Sequence, residues 1–177
     1  MKLVIISAVS VDGVIGINND IPWRIPEDFK HFRETTMGNV LIVGATTFKT
    51  LPPKAHEGRE FIILNSGERL PLKGVPYYQF SDFDTVMNLL NHENVTLDKA
   101  FVIGGSSIYH LMMEYCDEAI ITWVNKTFDD LKGAVMFPID KLFANFDVYS
   151  DQDWQESKTG LSYKITYYKR KHGSQRK

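Results

Sequence analysis

The sequence predicts an α/β fold: a single domain with a central, mostly parallel β-sheet, an antiparallel C-terminal edge, and helices on both faces. Two observations support this class. Through the first two thirds of the chain, short apolar runs alternate with helical patterns, and these runs are almost continuously apolar, as in strands covered on both faces. The last third contains β-like runs with no helix between them, which indicates antiparallel strands at one edge of the sheet.

The apolar runs set the strands, and the spacing of apolar residues sets the helices. The predicted strands are residues 2–9, 39–43, 60–64, 100–103, 118–124, 146–150 and 161–169. The predicted helices are residues 26–36, 46–51, 82–91 and 106–114. The first run, KLVIISAV, also resembles a signal peptide. It continues directly into VIG without an obvious processing site, which favours a buried strand.

Composition limits the partners that the chain can have. A length of 177 residues suits one domain, which we assign to residues 1–170, with 171–177 as a basic, frayed tail. The formal charge of −2 argues against nucleic acid and anionic membranes as partners. Cys116 is the only cysteine, so we expect a reducing, cytoplasmic location. We expect a monomer.

Two predicted strand-to-helix junctions carry glycine followed by hydroxyl residues. These are LIVGATTF at 41–48 and FVIGGSSIY at 101–109. Glycine lets a ligand approach the backbone, and hydroxyls with free N–H groups at a helix start suit phosphate. A structural explanation stays open for each junction, since turns use glycine and helix caps use serine and threonine. Together they favour a dinucleotide site, although neither is a GxGxxG or P-loop motif.

Asp28 is placed unusually in the segment IPWRIPEDFKHFRETT. Helical spacing puts it on the same face as Ile25, Phe29 and Phe32, which should turn inward. Complementing the helix dipole explains acidity at Glu27 but not a carboxylate among apolar side chains. The carboxylate needs a partner, either a cation distant in sequence or a ligand with N–H donors. The direction of its pKa shift is open, because the dipole lowers it and burial raises it.

The sequence contains no pattern typical of a metal site or of a G-x-S-x-G nucleophile. The five histidines show no metal-ligand spacing and one cysteine cannot build a zinc site, so no metal is predicted. No G-x-S-x-G element is present. Trp23 fits either a core anchor or a roof over a ligand beside Asp28.

Six segments follow one another along nearly the whole chain: VDGVIGINNDIPWRIPEDFKHFRETT at 11–36, VGATTF at 43–48, GREFIIL at 58–64, FVIGGSSIY at 101–109, ITWV at 121–124 and FP at 137–138. Together they resemble the dihydrofolate reductase family. A single motif would be weak evidence, whereas this order and spacing are specific.

The resemblance implies NADPH-dependent reduction of 7,8-dihydrofolate to 5,6,7,8-tetrahydrofolate, with hydride transfer to C6 and protonation of N5, in support of one-carbon and thymidylate metabolism. Asp28 would hold the pterin 2-amino group and N3, and Thr122 would bond to that carboxylate. Arg59 would grip the α-carboxylate of the glutamate tail. The implied catalytic residues are Asp28, Trp23 and Thr122. The implied substrate-binding residues are Ile6, Ala8, Asp28, Phe29, Phe32, Leu51, Arg59, Ile103 and Thr122.

The resemblance also implies which residues border NADPH. Ala8 and the 14–20 loop would border the nicotinamide, and the 46–47 and 104–109 segments would hold the phosphates. The implied cofactor-binding residues are Ala8, Val14, Ile15, Gly16, Asn19, Asp20, Ile21, Gly44, Thr46, Thr47, Leu64, Asn65, Ser66, Ile103, Gly104, Gly105, Ser106, Ser107, Ile108 and Tyr109.

Two departures from the family pattern affect the cofactor. Ala45 stands where many members have a basic residue that grips the NADPH 2′-phosphate, and Asn65, Ser66 or Arg69 would have to substitute. The segment AVMFP at 134–138 lacks the aspartate of the common D-T-x-F-P motif, which often steadies the 14–21 loop. We therefore expect either a different latch or a looser loop.

Two alternatives stay open at this point. The related reductase fold of riboflavin biosynthesis also uses NADPH, but it gives no reason to keep Asp28 together with Arg59. A non-catalytic relative would keep the fold as a binding or assembly protein, and it would spare Asp28, Thr122 and Arg59 only by chance.

Overall fold

The computed structural model describes residues 1–71, 74–92 and 97–172. Within them, eleven strands and five helices form one α/β domain. The strands are β1 Lys2–Ser10, β2 Val14–Ile17, β3 Val40–Gly44, β4 Glu60–Leu64, β5 Tyr77–Phe80, β6 Lys99–Gly104, β7 Glu118–Val124, β8 Ala134–Met136, β9 Phe146–Asp151, β10 Gln155–Glu156 and β11 Ser162–Arg170. The helices are α1 Pro26–Thr36, α2 Ala45–Thr50, α3 Phe83–Leu90, α4 Ser106–Met112 and α5 Ile139–Asn145.

The main sheet has the predicted mixture of parallel and antiparallel pairs. Its strand order is β10-β11-β7-β1-β6-β3-β4-β5, with β9 also paired to β11. The pairs from β7 through β5 are all parallel. The pairs that involve β11 are antiparallel. The predicted fold class is therefore confirmed, including the antiparallel C-terminal edge.

Side chains of the central strands alternate between two cores, one on each face of the sheet. Leu3 and Ile5 belong to one core, which α3 and α4 cover, whereas Val4 and Ile6 belong to the other. On that second face lie Phe32 of α1 and Phe48 of α2. Both faces of β1 are thus buried, which explains why its sequence is nearly all apolar.

The elements that the sequence analysis missed are short or peripheral. β2 and β8 pair only with each other, in a small second sheet. β5, at the end of the main sheet, is a four-residue strand with no fully buried residue. α5 has seven residues, and β10 has two. The helix predicted to end at residue 114 ends at Met112 and continues as a 3-10 turn, Met113–Tyr115.

The start of the predicted tail is tied to the domain. The backbone N–H of Lys171 donates to the carbonyl of Asn145 at 2.9 Å, and its ammonium donates to the carbonyl of Phe143 at 2.7 Å. Residues 173–177 lie outside the described residues, so the domain boundary at 170 stays a prediction.

Candidate active site

A large cleft opens at the carboxyl ends of the parallel strands β1, β3, β4 and β6. Its volume is about 1460 Å³, more than the roughly 300–1,000 Å³ typical of a site for one small ligand. There is room for two ligands side by side, at the edge where α/β sheets bind them. The sequence-predicted residues that line it are Ile6, Ala8, Ile15, Gly16, Asn19, Asp20, Ile21, Trp23, Asp28, Phe29, Phe32, Gly44, Thr46, Thr47, Leu51, Leu64, Asn65, Ser66, Ile103, Gly105, Ser106, Ser107, Ile108 and Tyr109.

Four predicted site residues do not line the cleft. Val14 is fully buried, and Thr122 is buried beneath Asp28. Gly104 lies under the ring of Tyr109, where a β-carbon would come within 2.6 Å of that ring, so only glycine fits. Arg59 is buried behind the cleft wall.

Asp28 reaches the cleft from the first turn of α1. Among the described ion pairs none involves its carboxylate, and the Thr122 hydroxyl lies near enough to lower its pKa. Burial raises the pKa of Asp28 from 3.8 to about 6, against the opposing effect of the Thr122 hydrogen bond. The residue keeps some solvent exposure because the cleft reaches it, while the protein atoms around it desolvate the carboxylate. Desolvation thus decides the direction that the sequence left open.

Tyr109 lies deeper than its predicted place in the cofactor turn suggests. Its hydroxyl donates to the backbone carbonyl of Ile6 at 2.9 Å. Burial raises the pKa of Tyr109, and the charge of Asp28 raises it further, so the hydroxyl stays a donor at neutral pH. Because a carbonyl oxygen has two lone pairs, Ile6 keeps one for a ligand donor.

Arg59 is held by acceptors of the protein. Its guanidinium donates to Thr36 Oγ1 at 2.9 Å and to the carbonyls of Arg33 at 2.8 Å and Glu57 at 2.6 Å. A longer bond of 3.3 Å reaches the carbonyl of Ala55. With four of its five N–H groups engaged, Arg59 keeps one donor, so the two-pronged grip on a carboxylate would need rearrangement. Its role as the tail clamp stays a prediction.

Backbone pairing joins the 14–17 segment to the segment that lacks the D-T-x-F-P aspartate. β2 pairs antiparallel with β8, Gly16 opposite Val135 and Ile17 opposite Ala134. The N–H of Asn18 donates to the carbonyl of Gly133 at 3.2 Å. These contacts can serve as the different latch expected from the sequence, and the choice between that latch and a looser loop stays a prediction, tested by comparing loop order with and without ligands.

A second tie joins the start of the same loop to residues 125–133. The Asp12 carboxylate accepts hydrogen bonds from the Ser10 hydroxyl and from the Phe128 N–H, the latter at 2.8 Å. The ring of Phe128 lies 6.2 Å from that of Trp23. Trp23 is both a core anchor and a lining residue, because it packs with Ile25 and borders the cleft.

Neither metal nor membrane features accompany the site. The described residues contain no group of three or more histidine, cysteine, aspartate or glutamate side chains placed to hold a metal ion. Within the same residues, no helix combines the length and apolar character needed to cross a membrane.

Comparison with known proteins decides the family. The family model described as dihydrofolate reductase matches residues 2–170. The chain belongs to the dihydrofolate reductase family. Membership identifies it as an oxidoreductase of the dihydrofolate reductase type, with NADPH as cofactor. This settles the choice against the riboflavin-pathway fold, and the predicted family and enzyme class are confirmed.

Several members of the family are similar to this reductase along most of its length. The dihydrofolate reductase of Mycobacterium tuberculosis is 31% identical over 169 residues, covering 94% of this chain and 96% of its own. That of Mycoplasma genitalium is 28% identical, covering 96% and 98%. A solved structure of the Enterococcus faecalis enzyme, described as complexed with NADP(H) and RAB-propyl, superposes with a TM-score of 0.77 at 24% identity and covers 96% of both chains.

Some lining residues of the reductase were missed, although helical spacing indicated two of them. Arg33 follows Phe29 by four positions on α1, and Thr50 follows Thr46 by four on α2, so each shares the face of a predicted site residue. Val135 had no such signal, because it reaches the cleft only through the pairing of β8 with β2. The remaining missed residues are Ser7, Arg24, Pro26, Pro52, Pro53, Lys54 and Ala55, whereas Ala45, which the sequence analysis named as a departure from the family pattern, also lines the cleft.

Proposed function

We propose that the protein catalyses the NADPH-dependent reduction of 7,8-dihydrofolate to 5,6,7,8-tetrahydrofolate, by hydride transfer to C6 and protonation of N5. The observation that carries this proposal is the Asp28 carboxylate, which borders the cleft among apolar side chains with no ion-pair partner in the described part of the chain. A pterin ring presents adjacent N–H donors, from its 2-amino group and N3, that suit one carboxylate. Burying a charge this way is tolerable when such donors pair with it.

The rest of the substrate half of the cleft fits the remainder of dihydrofolate. Phe29 and Phe32 project from α1 and provide an apolar surface for the benzoyl group. Arg33 and Lys54 also line this half and supply positive charge for the glutamate carboxylates. Arg59 stands directly behind them, its guanidinium 5.8 Å from the ring centre of Phe32.

The other half fits a dinucleotide by close backbone approach. A β-carbon on Gly105 would come within 2.8 Å of the Thr47 hydroxyl, and one on Gly44 within 3.1 Å of Ile108. Glycine at both places lets Thr47 and Ile108 pack directly against the backbone. Because Gly44 and Gly105 also line the cleft, a ligand there meets backbone without a side chain. When bound there, NADPH supplies the hydride. Thr46, Thr47, Ser106 and the backbone around them would hold its phosphates.

The chain contributes position and one proton-carrying group to the reaction. The tie of the 14–17 segment to β8 fixes one wall of the cleft, which holds two rings together and excludes water. With its pKa near 6, Asp28 is about one-tenth protonated at neutral pH. It binds the pterin as a carboxylate and passes protons toward N5, by way of water.

The assay is loss of the near-ultraviolet absorbance of NADPH when dihydrofolate is added. We expect turnover by the parent, and a loss of about a hundredfold or more in Asp28→Asn with nearly unchanged NADPH affinity. Glu27→Gln is the matched control. The Glu27 carboxylate accepts hydrogen bonds from the Ser157 hydroxyl and the Lys158 N–H, away from the cleft, so turnover should persist in this variant. Tight binding of dihydrofolate without turnover would instead support a non-catalytic relative.

The proposed product places the enzyme in one-carbon and thymidylate metabolism. A monomeric state and a cytoplasmic location are part of the same proposal, and sedimentation of the purified protein tests the first.

A further inference from the structure

We infer that the cleft discriminates only weakly between NADPH and NADH, so that NADH also serves as hydride donor. This inference rests on the proposed function, and it concerns the part of the cleft formed by lining residues 44–47, 64–66 and 105–108, here called the cofactor half. Its side chains are all neutral.

The two cofactors differ by one phosphate on the adenosine ribose. Dinucleotide sites distinguish them by charge: an arginine near the ribose donates hydrogen bonds to the 2′-phosphate, whereas an acidic residue accepts one from the 2′-hydroxyl when the phosphate is absent. The cofactor half contains neither type among the described residues. Ala45 follows the glycine at the end of β3, and Ser66 and Ser107 supply hydroxyl groups.

All the positive charge that lines the described cleft lies in the other half. Arg24 precedes α1, Arg33 lies within α1, and Lys54 lies in the 3-10 turn Pro53–Ala55. Arg33 shares α1 with Phe29 and Phe32, the residues proposed to contact the benzoyl group. None of the three cations belongs to the cofactor half.

The residues that could substitute for a basic residue at position 45 are bonded elsewhere. Arg69 lies over the ring of Tyr77, 5.3 Å from its centre, and donates to the Tyr77 hydroxyl at 3.2 Å. Asn65 donates to the carbonyl of Glu68 at 2.9 Å and accepts from the Gly67 N–H at 3.1 Å. Arg69 does not line the cleft, and Asn65 lines it without a charge, so neutral groups remain for the phosphate.

The test compares the two cofactors in the parent chain and in two variants at position 45. Steady-state assays give kcat/KM for NADPH and NADH, and quenching of tryptophan fluorescence gives the two dissociation constants without turnover. In the parent, we expect both ratios to lie within about tenfold of one. A charged contact contributes roughly tenfold to a hundredfold in affinity, so Ala45→Arg should tighten NADPH binding by about tenfold and leave NADH unchanged. Ala45→Gln adds length without charge and should leave the ratio as in the parent.

The outcomes are separable. A parent ratio above about tenfold in favour of NADPH overturns the inference, and Arg69→Ala would then test whether that cation is responsible. An Ala45→Arg variant without any gain for NADPH overturns the placement of the 2′-phosphate in the cofactor half. If neither cofactor supports turnover but both bind equally well, the proposed reaction fails while the weak discrimination stands.

Discussion

Replacing Asp28 by asparagine is expected to stabilise the free protein, and the gain should grow with pH. The folded-state pKa is raised from 3.8 to about 6, so folding disfavours the ionised carboxylate. Below pH 3.8 both states hold the proton and nothing is lost. As pH rises from there to about 6, the unfolded state ionises first, and native stability falls until both states are ionised. Asparagine removes this penalty while its oxygen can still accept from Thr122.

The size of the effect follows from the shift. The difference between 3.8 and about 6 corresponds to about 3 kcal/mol at full ionisation. By linkage, about half of this penalty is present at pH 5 and nearly all of it at pH 8. The stability difference between Asp28→Asn and the parent should therefore increase by roughly 1–2 kcal/mol over this interval. Any constant effect of the substitution cancels in that increase.

Urea unfolding of the free protein at pH 5, 6, 7 and 8 measures this difference. Asp129→Asn is the control, because Asp129 is exposed, lies outside the cleft and carries the same charge. Its stability difference from the parent should stay nearly constant over the interval. A pH-independent difference for Asp28→Asn would refute the reasoning, since it would mean that the carboxylate is solvated as in the unfolded chain.

Three further predictions concern the same cleft and its supports. Arg59→Leu should weaken dihydrofolate binding and lower the free energy of unfolding by about 3 kcal/mol, because Thr36 Oγ1 and three carbonyls lose a buried donor. Equilibrium titration measures the binding and urea unfolding measures the stability. Unchanged values of both would contradict the assignment. Asp12→Ala should release the Phe128 N–H and speed amide exchange across residues 126–136 by about tenfold, whereas unaltered exchange would show that the tie contributes nothing. For the parent, kcat/KM for dihydrofolate should fall as pH rises above about 6, because the protonated fraction of Asp28 falls. Well above that pH, the fall should reach about tenfold per pH unit. A flat profile would show that Asp28 does not deliver the proton.

Much of the fold could be predicted because its strands are buried on both faces. Residues 60–64 were predicted to the residue, as was α1, where apolar spacing and Pro26 at the start agree. The sequence did not reveal β2 and β8, which owe their conformation to each other rather than to a hydrophobic pattern. Local sequence carries no signal for such pairing.

The candidate site, like the fold, was predictable only in part. Asp28 was found because a carboxylate at an inward helical position conflicts with the surrounding apolar side chains. The direction of its pKa shift was not predictable, because it depends on how many atoms of distant elements surround the carboxylate. The buried contacts of Arg59 were also hidden, since its acceptors are backbone carbonyls up to 26 positions away. A backbone carbonyl carries no sequence signature.

The central claim is that one desolvated carboxylate faces the cleft and is neutralised by the ligand. Carbon-13 NMR of the Asp28 carboxyl group, titrated in the free protein from pH 4 to 8, measures this most directly. The account predicts a midpoint of about 6, and disappearance of the titration when dihydrofolate or a pterin-like inhibitor fills the cleft. A midpoint at the ordinary 3.8 in the free protein would contradict it.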